Sequence, residues 1–155
     1  FKFIGGNRFN EYISVEFGYV NLGGYNFSDT YQYIPQDKPN DLVIRNSDTS
    51  ETVQGFIANV VFTYALSNKV EVFSKVGVFD WSSNTKSNLT GIYIDNSGSN
   101  ETTSSFKSRH EGTDIFYGAG LSYNWQNFRL NIEYELFKYD EQSVGVISIG
   151  GAVHF

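Results

Sequence analysis

The chain is 155 residues long, has no Cys, no Met and two Pro, is 17% aromatic, and carries a formal net charge of −6. The lack of cysteine excludes a disulfide framework, thiol catalysis and a Cys-based metal site. The acidic balance speaks against a nucleic-acid partner, because phosphate binding needs a Lys/Arg-rich patch.

Length and aromatic content fit one all-β domain over residues 1–155. No apolar run approaches the ~18–20 residues of a transmembrane helix. That settles little, since a barrel strand needs only about 9–11 residues and shows lipid only every second side chain.

In chain order, 1–6 reads as a strand and 7–10 as a tight turn. Ile13, Val15, Phe17 and Tyr19 then alternate with Ser14, Glu16 and Gly18, the period of a strand with one apolar face. The stretch 24–51 holds Asp29, Asp37, Asp41, Asp48 and Glu51 against Lys38 and Arg45 and reads as a solvated acidic loop.

Alternation resumes with Phe56, Ala58, Val60, Phe62 and Tyr64, followed by a tight turn at 67–68 and a strand over 70–81. A second long segment, 82–112, is rich in Ser, Asn, Thr and Gly. From there Ile115, Tyr117, Ala119, Leu121, Tyr123 and Trp125 share one strand face, with Phe116, Gly118, Gly120, Ser122 and Asn124 on the other. Past a turn at Gln126, Phe128, Leu130, Ile132, Tyr134 and Leu136 alternate with Arg129, Asn131, Glu133 and Glu135. A short hairpin near 140–142 leads to a last strand over 144–155.

Tight turns thus alternate with two long connections, the layout of an antiparallel transmembrane β-barrel with short periplasmic turns and long extracellular loops at about 24–51 and 82–112. A soluble barrel would bury the same apolar face inward, and the charges choose between the two. Glu16, Lys75 and Glu133 each lie about five or six residues beyond a short turn, at similar heights for a rise of about 3.3 Å per residue. Opposite charges at one level suit a narrow polar lumen, while Tyr64, Tyr123 and Trp125 near strand ends suit interfacial girdles.

Several stretches resemble, in order, the eight-stranded transmembrane domain of the OmpA family. They are Phe3-Ile4-Gly5-Gly6, Val15-Glu16-Phe17-Gly18-Tyr19 with Leu22-Gly23, Val53-Gln54-Gly55, Trp81 with Thr85-Lys86-Ser87-Asn88, Tyr117-Gly118-Ala119-Gly120-Leu121-Ser122-Tyr123, and Ile132-Glu133-Tyr134. Matched onto that family, 1–6 falls in the second strand, so the resemblance implies seven strands here, eight in the intact barrel, and an upstream signal peptide. Gly151, Val153 and Phe155 resemble the C-terminal signature that the barrel-assembly machinery reads during insertion. Val61, Ser122 and Asn131 stand where family members carry charged lumen residues.

Catalysis finds little support. Of the two histidines, His110 sits in a long segment and His154 next to the last residue, and no signature sets a Ser and an acid beside either. The Asp-rich stretch 37–48 fits no calcium-loop spacing. Gly118 and Gly120 read as room for bulky neighbours in the lumen.

The expectations are then specific. Ile115, Tyr117, Leu121, Leu130, Ile132 and Tyr134 face lipid, and Glu16, Lys75 and Glu133 form a lumen ion-pair cluster extended by Arg129 and Glu135. The protein is a monomer in the outer membrane of a Gram-negative bacterium, without cofactor or metal. Its surroundings are membrane lipid and lipopolysaccharide, and its loops present a surface-recognition or adhesion function toward host or phage ligands. A small passive pore is the rival reading, and an outer-membrane enzyme ranks third.

Overall fold

The computed structural model describes residues 1–36, 41–95 and 98–153. Among them the chain is strand and turn, with seven strands: β1 Lys2–Arg8, β2 Ile13–Tyr33, β3 Leu42–Ala65, β4 Val70–Asp95, β5 Gly98–Trp125, β6 Phe128–Tyr139 and β7 Gln142–Val153. They form one sheet in sequential order β1 to β7, so each strand pairs with its chain neighbours and β1 and β7 stand at the two ends. β1 pairs antiparallel with β2 from Lys2↔Val20 to Arg8↔Ser14, β5 with β6 from Phe116↔Phe137 to Trp125↔Phe128, and β6 with β7 from Phe128↔Val153 to Tyr139↔Gln142.

The short turns are built from local chemistry. Asn10 Oδ1 accepts the backbone N–H of Tyr12 and of Ile13, both at 2.8 Å, and closes the β1–β2 turn. Ser67 Oγ accepts the N–H of Val70 at 3.1 Å in the β3–β4 turn. Asp140 and Glu141 both take positive φ, 46° and 63°, the geometry of a two-residue hairpin whose twist matches its strands.

The strands contribute to two compact units. The first comprises Phe1–Leu22, Gln54–Ser82 and Glu111–Phe155, the second Gly23–Val53 and Ser83–His110.

In the first unit the period-2 pattern sorts side chains cleanly. Ile115, Tyr117, Leu121, Leu130, Ile132 and Tyr134 lie outward, 47–59% exposed. Their alternate neighbours Phe116, Ser122, Glu133, Glu135 and Phe137 are buried. Tyr64, Tyr123 and Trp125 are exposed beside the turns that join β3 to β4 and β5 to β6.

The second unit departs from the sequence expectation. The segments 24–51 and 82–112, expected as long loops, are mostly strand: β2 continues to Tyr33, β3 begins at Leu42, β4 runs to Asp95 and β5 starts at Gly98. The Ser, Asn and Asp content suggested coil, but Thr and Tyr at alternate positions favour strands, and side chains of facing strands satisfy one another. Ser28 donates to Asp48, Tyr25 to Glu51 and Tyr93 to Asp41, while the Thr49 and Ser87 hydroxyls lie 2.9 Å apart. These pairings also account for Asp41 and Asp48 of the acidic stretch; Asp37 and Lys38 lie outside the described residues.

Candidate functional site

The inner face of the first unit is charged near the short turns and aromatic farther along the strands. β4 shows the sequence of layers, with Glu71, Phe73, Lys75, Phe79 and Trp81 all buried at alternate positions.

Nearest the β3–β4 turn, Glu71 is held by two guanidiniums: Arg129 Nη2 at 2.7 Å and Arg8 Nη2 at 3.3 Å. Arg129 also donates through Nε to Asn124 Oδ1 at 2.9 Å.

One layer on, Lys75 Nζ lies 2.5 Å from Glu133 Oε2, 3.2 Å from Glu135 Oε1 and 3.9 Å from Glu16 Oε2. Lys2 pairs with Glu133 and, at 2.6 Å, with Glu135 Oε2. Ser148 Oγ donates to Glu133 at 3.1 Å, and Asn59 Nδ2 to Glu16 at 3.0 Å. Because Lys2 belongs to β1 and its carboxylate partners to β6, the sheet curls until strands far apart in its order meet across the interior.

Beyond the charges comes an aromatic layer. Phe116 and Phe137 stack with centroids 4.9 Å apart, and Phe79 meets Phe137 edge-on at 5.1 Å. All three rings are 0% exposed. Trp81 and Tyr139 follow at 5.8 Å, with the Trp81 indole N–H donating to Asp114 Oδ2 at 2.8 Å.

Glycines make room for this filling. A Cβ on Gly120 would fall 2.5 Å from the Phe73 ring, and one on Gly118 2.8 Å from the Glu135 side chain.

The residues singled out from sequence therefore separate. Lys75, Glu133 and Glu135 meet directly, and Glu16 stands at the edge of the group. Arg129, expected as an extension of that cluster, instead pairs with Glu71 in the neighbouring layer, because its position near the β5–β6 turn sets it level with Glu71 rather than with Lys75.

Sequence reasoning missed Lys2, Arg8 and Glu71. The signal for Glu71 was its even spacing from Lys75 along one strand, which places both on the same face. Lys2 and Arg8 share a face of β1 for the same reason. It missed the aromatic layer too, although Phe116 already fell on the inward face by parity. Val61 and Ser122 fill buried inward positions without charge, and Asn131 Oδ1 is buried with no hydrogen-bond partner among the described residues.

In the second unit, Glu51 also accepts from Ser83 Oγ at 2.5 Å. Arg45 lies 5.8 Å over the Tyr33 ring and 3.5 Å from the Tyr31 hydroxyl, whose hydrogen bond raises the guanidinium's pKa above its ordinary value. Ser108 Oγ lies 3.0 Å from His110 Nε2, because residues two apart on β5 share a face. Both are exposed on an open strand.

Among the described residues no group of three His, Cys, Asp or Glu could hold a metal ion. Gly151 and Val153 lie on the exposed last strand, paired to Leu130 and Phe128; Phe155 and His154 lie outside the described residues.

The whole chain, residues 1–155, matches the outer membrane protein beta-barrel domain family. It is similar in fold to Ail, the attachment invasion locus protein of Yersinia pestis, solved in complex with the heparin analogue sucrose octasulfate. That likeness has 17% identity and a TM-score of 0.51, over 99% of this chain and 80% of that one. A second Ail structure aligns at 17% identity with a TM-score of 0.46, over 99% and 80% of the two chains. No curated protein sequence matches. An antiparallel sheet with an apolar outer face, a charged and aromatic interior and a family match over its full length identify the chain as a member of the outer membrane protein beta-barrel domain family, located in the outer membrane of a Gram-negative bacterium.

Proposed function

We propose that this protein is a lipid-embedded scaffold of the OmpA type that presents its β2–β3 and β4–β5 hairpins for adhesion or receptor-type contacts. Neither an open pore nor an enzyme fits as well. The observation that carries the reading is the filled interior: two layers of paired charges and a layer of fully buried rings leave an eight-stranded barrel, which is only just wide enough to be filled by side chains, no continuous water column.

Function then falls to the exposed hairpins, where a rigid scaffold presents recognition chemistry. The sulfated ligand of the Ail structure suggests host glycans as a class of partner. Planar-bilayer recording and adhesion assays with each hairpin shortened test the reading. Small or absent conductance together with lost adhesion is expected, and a large reproducible conductance would favour the passive-pore rival.

The reading includes one further strand. In lipid every backbone N–H and C=O needs a partner, so the outer edges of β1 and β7 call for an eighth strand between them. The intact barrel is monomeric and reaches the membrane through the assembly machinery, with Gly151, Val153 and Phe155 as its signal. In membranes, direct disulfide formation between Phe3→Cys and Ile149→Cys would contradict the eighth strand and indicate closure with seven.

A further inference from the structure

The outward apolar face of the first unit ends, on β4, in a carboxylate that no cation answers. On β3, β5 and β6 the outward apolar series stops at Phe56, Ile115 and Leu136, with Gln54, Thr113 and Lys138 at the next outward positions. On β4 it stops at Val78, and the next outward residue is Asp80, which is exposed. Thr113 donates to Asp80 Oδ1 at 3.0 Å, so the two side chains stand level at this border. Among the described residues no ammonium or guanidinium pairs with Asp80.

A groove opens beside that carboxylate. A Cβ on Gly77 would strike the Ala58 carbonyl and Asn59 Cα, so Gly77 lies opposite Asn59, which sets Val78 beside Ala58 and Asp80 beside Phe56. From β2, Tyr19 meets Phe56 edge-on with centroids 5.5 Å apart, and Phe17 shares that outward face. Ala58 is the small side chain among these large ones. The depression over it holds about 520 Å³, walled by Phe17, Tyr19, Phe56 and Val78, with Asp80 at one end.

The face belongs to an outer-membrane barrel, so its outward apolar band meets lipid and the groove is filled by an acyl chain. The headgroup of that lipid then falls near Asp80. A carboxylate at the border of the hydrocarbon layer loses part of its hydration and is stabilised by a charged hydrogen-bond donor.

We propose that this groove seats one lipid whose headgroup carries a primary ammonium, with an acyl chain over Ala58 and the ammonium on Asp80. Such an ammonium brings N–H donors to Asp80 Oδ2, the oxygen that Thr113 leaves open. A quaternary ammonium has the charge without the donors, and an anionic headgroup is repelled. The site goes beyond the surface-recognition reading and does not depend on it.

The test takes the full chain, delipidated in a non-ionic detergent, and offers it phosphatidylethanolamine, phosphatidylcholine or phosphatidylglycerol of matched acyl chains, with lipopolysaccharide as a fourth arm. Native mass spectrometry reads the lipid retained. The wild type is expected to keep one phosphatidylethanolamine in preference to the other lipids by about tenfold, the equivalent of one charge-assisted hydrogen bond. Asp80→Asn should bring phosphatidylethanolamine down to the level of phosphatidylcholine, Asp80→Glu should retain the preference, and Ala58→Phe should lower the retention of every phospholipid. Glu101→Gln, an exposed carboxylate elsewhere on β5, should change nothing.

A stability measurement runs in parallel and reads the same site without mass spectrometry. Phosphatidylethanolamine should raise the Tm of the wild type more than phosphatidylcholine does, and the two should act equally on Asp80→Asn. Equal retention of the two lipids by the wild type, a preference that survives Asp80→Asn, an equal loss from Glu101→Gln, or stronger retention of phosphatidylglycerol or lipopolysaccharide would each overturn the site.

Discussion

Lys75 Nζ and Glu133 Oε2 lie 2.5 Å apart, with the lysine side chain 3% exposed, so an ammonium and a carboxylate share an interior from which water is largely withdrawn. Such a pair contributes little net stability, because desolvation offsets its attraction, but removing one partner strands the other. Lys75→Met should therefore cost on the order of 3–5 kcal/mol, leaving Glu133 and Glu135 with Lys2 alone. Lys75→Met/Glu135→Gln should recover much of that loss. Urea unfolding in detergent measures both, and equal stability of single and double variants would mean that the charges are solvated separately.

The aromatic layer makes a separate prediction about permeability. Phe79→Ala/Phe137→Ala removes two of three fully buried rings and should open a void next to the charged layers. Each truncation should cost about 3–5 kcal/mol. In planar bilayers the double variant should show current steps absent from the wild type. Unchanged conductance would place the barrier at the ion pairs alone.

The outward face responds to charge according to depth. Ile132 is exposed and pairs with Ile149 on β7 and Leu121 on β5, in a wholly apolar patch. Ile132→Arg should destabilise the folded protein by about 2–4 kcal/mol if it stands near the bilayer midplane. A matching substitution at exposed Lys138, Lys138→Arg, should be neutral. Reversible unfolding from lipid vesicles gives the comparison, and a neutral Ile132→Arg would contradict a lipid-facing role.

The β6–β7 turn offers a stabilising change. Glu141 sits at φ 63°, a conformation that L side chains adopt reluctantly and glycine freely. With Asp140 also at positive φ, Glu141→Gly creates the Asp-Gly pair favoured by this hairpin type and should add roughly 0.4–1 kcal/mol. A lower Tm in the variant would show that the Glu141 side chain contributes more than its backbone strain costs.

Much of the architecture was written locally in the chain. Ile115 to Trp125 and Phe128 to Leu136 alternate so regularly that their inward and outward faces follow from the pleat alone, and Asn10, Ser67 and Asp140 mark turns through their own hydrogen bonds or φ values. Glu16, Lys75 and Glu133 could be placed at similar heights by counting residues from the nearest turn. What the chain could not show was partnership across the interior. Lys2 meets Glu135, 133 residues away, because the sheet curls, and Arg129 pairs with Glu71 rather than with the carboxylates around Lys75 because the strands' relative heights set it one layer lower.

The same limit hid the aromatic layer: Phe79, Phe116 and Phe137 lie on three different strands, and only the assembled sheet brings their rings to one level. It also turned expected loops into strands, since Ser28, Tyr25 and Tyr93 find Asp48, Glu51 and Asp41 only once the hairpins have formed. Period and turn chemistry act over a few residues and are legible in sequence. Register and curvature act between strands, and the tertiary structure alone decides them.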